Sequence, residues 1–99
     1  MNVEYALDKI KSLVSSLSKK DTEDRIITYA SIVTIINRLS EITKDEVIPN
    51  FSTYKNELLW SCEALCGLDD GNSHIEENHM TWALSAINKL KSVHCFNVK

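Results

Sequence analysis

The sequence has few of the residues that interrupt regular structure. It contains two glycines and one proline among 99 residues. A sheet protein needs a turn after every strand, and turns draw heavily on glycine and proline, so this composition disfavours an all-β fold. We therefore expect helices. We also expect one domain spanning 1–99, because a chain of this length can bury one hydrophobic core but not two.

The sequence also lacks the patterns of export and of membrane insertion. Its N-terminus, MNVEYALDKIK, carries Glu4 and Asp8 where a signal peptide has an unbroken apolar stretch. The most apolar run, 26–36, is interrupted by hydroxyl residues and is shorter than the roughly 20 residues that cross a bilayer. Three cysteines, an odd number, favour reduced thiols over a disulfide framework. We expect a cytoplasmic protein that does not bind membranes.

Clustered positive charge is missing as well. The chain has 11 basic and 14 acidic residues, which gives a formal net charge of −3. Binding to the phosphates of nucleic acid depends on clustered lysine and arginine. Nucleic acid is therefore not an expected partner.

What the sequence does have is helical periodicity. The apolar spacing predicts four helices, at about 3–18, 22–42, 45–66 with a break near Pro49, and 74–95. Local patterns support these boundaries: Asp21 is a predicted N-cap, Gly67 is predicted to end the third helix, and Ser73 with Glu76 forms a capping box. Four helices joined by short turns predict an all-α, antiparallel up-down bundle.

The second predicted helix is apolar around most of its circumference. Its apolar residues include Ile26, Ile27 and Ala30 in addition to the periodic positions that continue to Leu39 and Ile42. Such a helix belongs either at the centre of a small domain or beneath a partner. A homo-oligomeric helical module, regulatory or structural, is therefore an alternative function, in which a second copy buries this helix.

A possible metal site follows the third helix, in the segment GLDDGNSHIEENH at 67–79. Cys62, Cys66, His74 and His79 match the loose spacing of a zinc site, but two histidines five residues apart lie about 140° apart on a regular helix. A calcium loop that begins at Asp69 lacks the required glycine at its sixth position and glutamate at its twelfth. Two cysteines one helical turn apart are more often core residues. We expect no metal, with a small metal-binding protein as a further alternative.

Catalysis would need a nucleophile beside a base, or a pair of carboxylates placed for acid–base chemistry. The candidates are Cys66 with His74 or His79, and the pair Asp69 and Asp70. Adjacent loop acids are usually solvated turn formers, and a helical bundle this small seldom has a pocket that admits a substrate. We expect neither an enzyme nor a cofactor.

Topology concentrates acidic residues at one end of the predicted bundle, because the first and third turns of an up-down bundle lie at the same end. We call this set the acidic pole: Asp21, Glu23, Asp24, Asp69, Asp70, Glu76 and Glu77. Several of these acids complement the positive N-terminal ends of helices two and four, but that does not account for Asp69 and Asp70. Such a pole can steer and bind a basic protein.

Two tryptophans lie at the edges of the apolar stripes, Trp60 on the third helix and Trp82 on the fourth. They either cover the rim of the core or anchor a partner, since tryptophan is enriched at binding hot spots. Together with the acidic pole and Asn72, they form the predicted partner-binding surface.

A small, mildly acidic helical chain without catalytic machinery resembles the small all-helical immunity proteins with which bacteria neutralise toxins, including those of contact-dependent growth inhibition systems. The resemblance lies in size, acidity and helix content over the whole chain, and no sequence motif carries it. It implies a tight non-covalent complex in which acidic and aromatic residues cover the active site of a basic toxin, often a nuclease.

Overall fold

The structure is a computed structural model that describes residues 3–43, 50–68 and 76–97. Within these ranges the chain forms four helices and no strand: α1 at Val3–Ser16, α2 at Thr22–Thr43, α3 at Phe51–Leu65 and α4 at Glu76–Asn97. The predicted all-α fold of four helices is confirmed. The predicted break near Pro49 and the predicted capping serine, Ser73, lie outside the described residues.

The four helices pack as an antiparallel bundle. The helices α2 and α4 each lie against both α1 and α3, and the pair α3–α4 has the most extensive contact. Ion pairs show the antiparallel order: Asp8, early in α1, meets Lys91, late in α4. Glu57 on α3 likewise pairs with Lys89 on α4 at 3.7 Å.

One hydrophobic core runs between all four helices. Each helix contributes residues at steps of three and four, which places them on one face. The buried aliphatic and aromatic members are Ala6, Leu7, Ile10, Val14, Leu17, Ile32, Ile36, Leu39, Phe51, Leu58, Leu65, Ala83, Ala86, Ile87 and Leu90. The thiols Cys62 and Cys66 are buried in the same cluster.

The helix boundaries follow local chemistry. Asp21 caps α2, because its carboxylate accepts a hydrogen bond from the backbone N–H of Asp24 at 2.9 Å, as predicted. Gly67 ends α3 at φ +74°, also as predicted. The N–H groups of Gly67 and Leu68 donate to the carbonyls of Ala64 and Glu63, which is the Schellman arrangement.

The end of the first helix differs from the prediction. The α-helix stops at Ser16, and the residues Leu17–Lys19 form a 3₁₀ turn that still buries Leu17. A 3₁₀ turn also brings every third residue to one side, so the spacing of buried apolar residues continues beyond the end of the α-helix. The predicted helix was too long for this reason.

The second helix does not lie at the centre of the bundle. It packs mainly on α1 and α3, with Ile32, Ile36 and Leu39 buried, while Ile26 and Ile27 are 41% and 60% exposed. In a four-helix ring each helix turns only part of its circumference toward its neighbours, so a helix apolar on several sides keeps some apolar surface in solvent.

Candidate protein-binding surface

The ends of three helices meet at the side chain of Arg25, in the first turns of α2. Its Nε donates to the carbonyl of Lys20, and one terminal nitrogen donates to the carbonyl of Leu65 at the end of α3, each at 3.0 Å. The same nitrogen pairs with a carboxylate oxygen of Glu76, in the first turn of α4, at 2.5 Å. In return, the thiol of Cys66 donates to the carbonyl of Arg25 at 3.3 Å. We call this set the Arg25 junction.

The Arg25 junction places the beginnings of α2 and α4 at the same end of the bundle. Asp21, Glu23 and Asp24 therefore lie at the end that also holds Glu76 and Glu77, and all five are exposed. The remaining acids of the predicted pole, Asp69 and Asp70, lie outside the described residues, as does Asn72.

Two of these five acids have structural roles. Asp21 caps α2, and Glu76 is the partner of Arg25. Within the described ranges, the side chains of Glu23, Asp24 and Glu77 make no hydrogen bond or ion pair. Asp21 and Glu76 thus stabilise the bundle, whereas the carboxylates of Glu23, Asp24 and Glu77 face solvent.

An aromatic cluster of Trp60, His79 and Trp82 lies between α3 and α4. The two indole rings stack with centroids 5.9 Å apart and planes 25° apart. The imidazole of His79 stands edge-on to both, with centroids 5.1 Å from Trp60 and 5.2 Å from Trp82. Stacked and edge-to-face geometries of this kind are the favoured ones for aromatic pairs.

The aromatic cluster is only half covered. His79 is 3% exposed beneath the indoles, whereas Trp60 and Trp82 remain 42% and 39% exposed. Trp82 lies six residues after Glu76, about 9 Å along α4 at the usual rise per residue. The cluster and the acidic pole therefore occupy the same half of the bundle.

A hydrogen bond between polar side chains joins α2 and α3. The hydroxyl of Tyr29 donates to a carboxylate oxygen of Glu63 at 2.9 Å. Burial raises the pKa of Tyr29 well above its usual value, and the neighbouring Glu63 carboxylate raises it further. This hydroxyl stays protonated and fixes α2 against α3.

Burial keeps the thiols of Cys62 and Cys66 protonated, which suits them poorly to act as nucleophiles. Burial raises the pKa of Cys62 to about 12, and the pKa of Cys66 is also raised, again mainly by burial. A nucleophilic cysteine reacts as its thiolate. Among the described residues no group of three or more candidate ligands could hold a metal ion; His74, one of the four residues considered for zinc, lies outside them.

Sequence reasoning missed that Arg25 joins three helix ends. A cation near the N-terminus of a helix is unfavourable in the field of the helix dipole, so its position there could have suggested a specific partner. The pairing of the two indoles was also missed, because periodicity gives a residue's place on its own helix and not its neighbour on another.

None of the described helices has the combination of length and hydropathy that a membrane-spanning helix needs. Comparison of the chain with protein-family models, with curated proteins and with solved structures finds no match. The class of molecule is thus set by its architecture: a four-helix bundle with an exposed aromatic cluster beside an acidic end.

Proposed function

We propose that this chain is a non-catalytic protein-binding module of the immunity type, which neutralises a basic toxin by covering its active site. In this proposal the toxin contacts the aromatic cluster and the acidic pole together. The indoles supply apolar contact area, and the carboxylates attract and orient the basic surface that a nuclease presents to phosphate groups.

The pair of stacked indoles carries the proposal. A single tryptophan at the edge of a stripe commonly covers the rim of a core, but here two lie together and each residue remains about two fifths exposed. Adjacent exposed tryptophans supply large, stiff surfaces that lose little conformational entropy on binding. The buried imidazole of His79 packs edge-on against both indoles.

The charge of the neighbouring surface supports a basic target. Glu23, Asp24 and Glu77 face solvent at the end nearest the cluster, and the whole chain is acidic. Exposed charges of one sign act mainly on the rate of association with a target of the opposite sign, whereas apolar anchors act mainly on the rate of dissociation. The two parts of the surface therefore predict different kinetic effects.

The test measures binding of this chain to the C-terminal domain of the exported protein encoded immediately upstream, if one is found there, and inhibition of that domain's activity. We expect tight binding that Glu77→Lys weakens through slower association, with an effect that shrinks at high salt. We expect Trp82→Ala to speed dissociation by about tenfold or more, as at other aromatic hot spots.

A matched control is available at the opposite end of the bundle. Glu4→Lys also reverses an exposed glutamate in the first turn of a helix, α1, but far from the acidic pole. This variant should bind as the wild type does. Equal effects of the two charge reversals would count against the acidic pole, and an unchanged dissociation rate for Trp82→Ala would count against the aromatic cluster. Failure to bind any such toxin would remove the immunity function itself.

A further inference from the structure

The outward face of α2 exposes apolar side chains that the bundle leaves uncovered. Ile26 and Ile27 are among its most exposed large hydrophobic residues, and Ala30, one turn later, is exposed too. Thr34 lies one further turn along, and its hydroxyl donates to the carbonyl of Ala30 at 2.9 Å, so it is satisfied within the helix. We call these four residues the α2 patch.

Opposite charges lie at the two ends of the α2 patch. Glu23 precedes it by one turn and Arg38 follows it by one turn, and both are exposed. Positions 23, 27, 30, 34 and 38 follow one another at steps of three and four, so they share a helix face. The described ion pair of Arg38 is with Glu41 at 3.4 Å, between two exposed side chains, and such a pair contributes little.

We propose that the α2 patch binds a second copy of this chain, with the two α2 helices antiparallel about a two-fold axis. A face that runs from acidic through apolar to basic matches its own reversed copy, because Glu23 then meets Arg38 of the partner subunit twice. A parallel copy would instead place like charges together. Ala30 and Ser31 are small residues near the axis, and small residues let two helices approach closely.

The dimer is weak and leaves the aromatic cluster open. One helix face from each copy buries less than the roughly 1,200 Å² that a standard interface needs, so association depends on protein concentration. The patch contains no residue of the aromatic cluster, which lies between α3 and α4. Glu23 belongs to the acidic pole as well, but the dimer needs no residue of the aromatic cluster and is measured on this chain alone, so its test does not depend on toxin binding.

The experiment is sedimentation velocity on the wild-type chain between about 10 μM and about 1 mM, where dissociation constants of the weakest specific complexes fall. We expect the sedimentation coefficient to rise toward that of a dimer. Ile27→Glu should weaken association by at least about tenfold, because it buries a charge in the interface. Tyr5→Glu, at an exposed aromatic residue on α1, is the control and should dimerise like the wild type.

Charge exchange tests the antiparallel arrangement. Glu23→Arg and Arg38→Glu should each weaken the dimer, and the double variant should regain association close to the wild-type value, because each exchanged pair is again complementary. Circular dichroism checks that all variants keep the helix content of the wild type. A wild-type chain that stays monomeric over the whole range overturns the proposal, and so does a dimer that Ile27→Glu leaves unchanged or a double variant that fails to recover.

Discussion

The two flanks of α3 lie in the same half of the bundle and differ in how their side chains are satisfied. Toward α2, the Arg25 junction and the bond from Tyr29 to Glu63 pair polar groups of different helices with one another. Toward α4, the aromatic cluster brings two indoles together and leaves both partly in solvent. The contacts toward α2 hold helices together. The contacts toward α4 leave more aromatic surface in solvent than is needed to cover the hydrophobic core.

Loss of the Arg25 side chain should have the largest effect on stability. Arg25→Met would leave the carbonyls of Lys20 and Leu65 without their donor and Glu76 without its cation, so we expect unfolding free energy to fall by about 2–3 kcal/mol. Urea unfolding followed by circular dichroism measures it. Arg38→Met is the control, because its exposed pair with Glu41 should contribute less than about 0.5 kcal/mol. Equal losses of unfolding free energy in the two variants would show that the Arg25 junction does not stabilise the bundle.

Alkaline pH should destabilise the protein through the buried thiol of Cys62. Its pKa is raised from 9.0 to about 12, so above pH 9 the unfolded chain loses this proton while the folded chain keeps it. Stability is unaffected by this group below pH 9 and falls as pH rises toward 12, by about 1.4 kcal/mol per pH unit for one thiol.

The measurement is unfolding free energy as a function of pH for the wild type and for Cys62→Ala, which should show a shallower alkaline decline. Leu58→Ala is the matched control, since it empties a buried site on α3 without removing a titratable group. It should lower stability at every pH and keep the wild-type slope. A Cys62→Ala slope equal to that of the wild type would contradict the prediction.

Removal of one hydroxyl on the polar flank should have a smaller effect. Tyr29→Phe keeps the ring but loses the hydrogen bond to Glu63, for an expected cost of about 1 kcal/mol in unfolding free energy. Tyr54→Phe serves as the control, because the hydroxyl of Tyr54 makes no hydrogen bond to the described residues and its ring faces Lys89. Denaturant titration compares the two, and a control that loses as much as Tyr29→Phe would disprove the role of this bond.

The ring contacts of the aromatic cluster should matter least for stability. Trp60→Phe keeps an aromatic ring at this half-exposed position but weakens the stacked pair and the contact with His79, for an expected cost of about 0.5–1 kcal/mol. Near-ultraviolet circular dichroism should also lose the signal of the coupled indoles, because only one indole remains in the cluster. A loss as large as that of Arg25→Met would mean that the cluster is a structural joint like the other flank.

Local chemistry explains which parts of the fold were predictable. The N-cap at Asp21 and the helix stop at Gly67 depend on residues within a few positions of one another, so the sequence indicates them directly. The four helices follow from apolar periodicity in the same way. The end of α1 was less certain, because a 3₁₀ turn continues the same pattern of burial.

The candidate surface was predictable only in part. Up-down topology correctly placed the first turns of α2 and α4 at one end, where Arg25 joins them. It did not show that Glu76 is held by Arg25, nor that Trp60 and Trp82 stack, since these contacts join residues on different helices. Of the two places that its apolar circumference allowed, α2 does not take the centre of the bundle. The sequence did not decide between them, because it gives the apolar sides of a helix but not how many of them its neighbours cover.

The sequence by itself determined the helices, two of their ends and the order in which they alternate, since these depend on contacts within a few residues and on short connections. Only the tertiary structure decided which acids pair within the bundle and which face solvent. It also decided that two indoles distant in sequence form one cluster with His79, and that Ile26 and Ile27 stay exposed. The physical reason is that packing between helices sets the rotation and offset of each helix, and no local pattern fixes either.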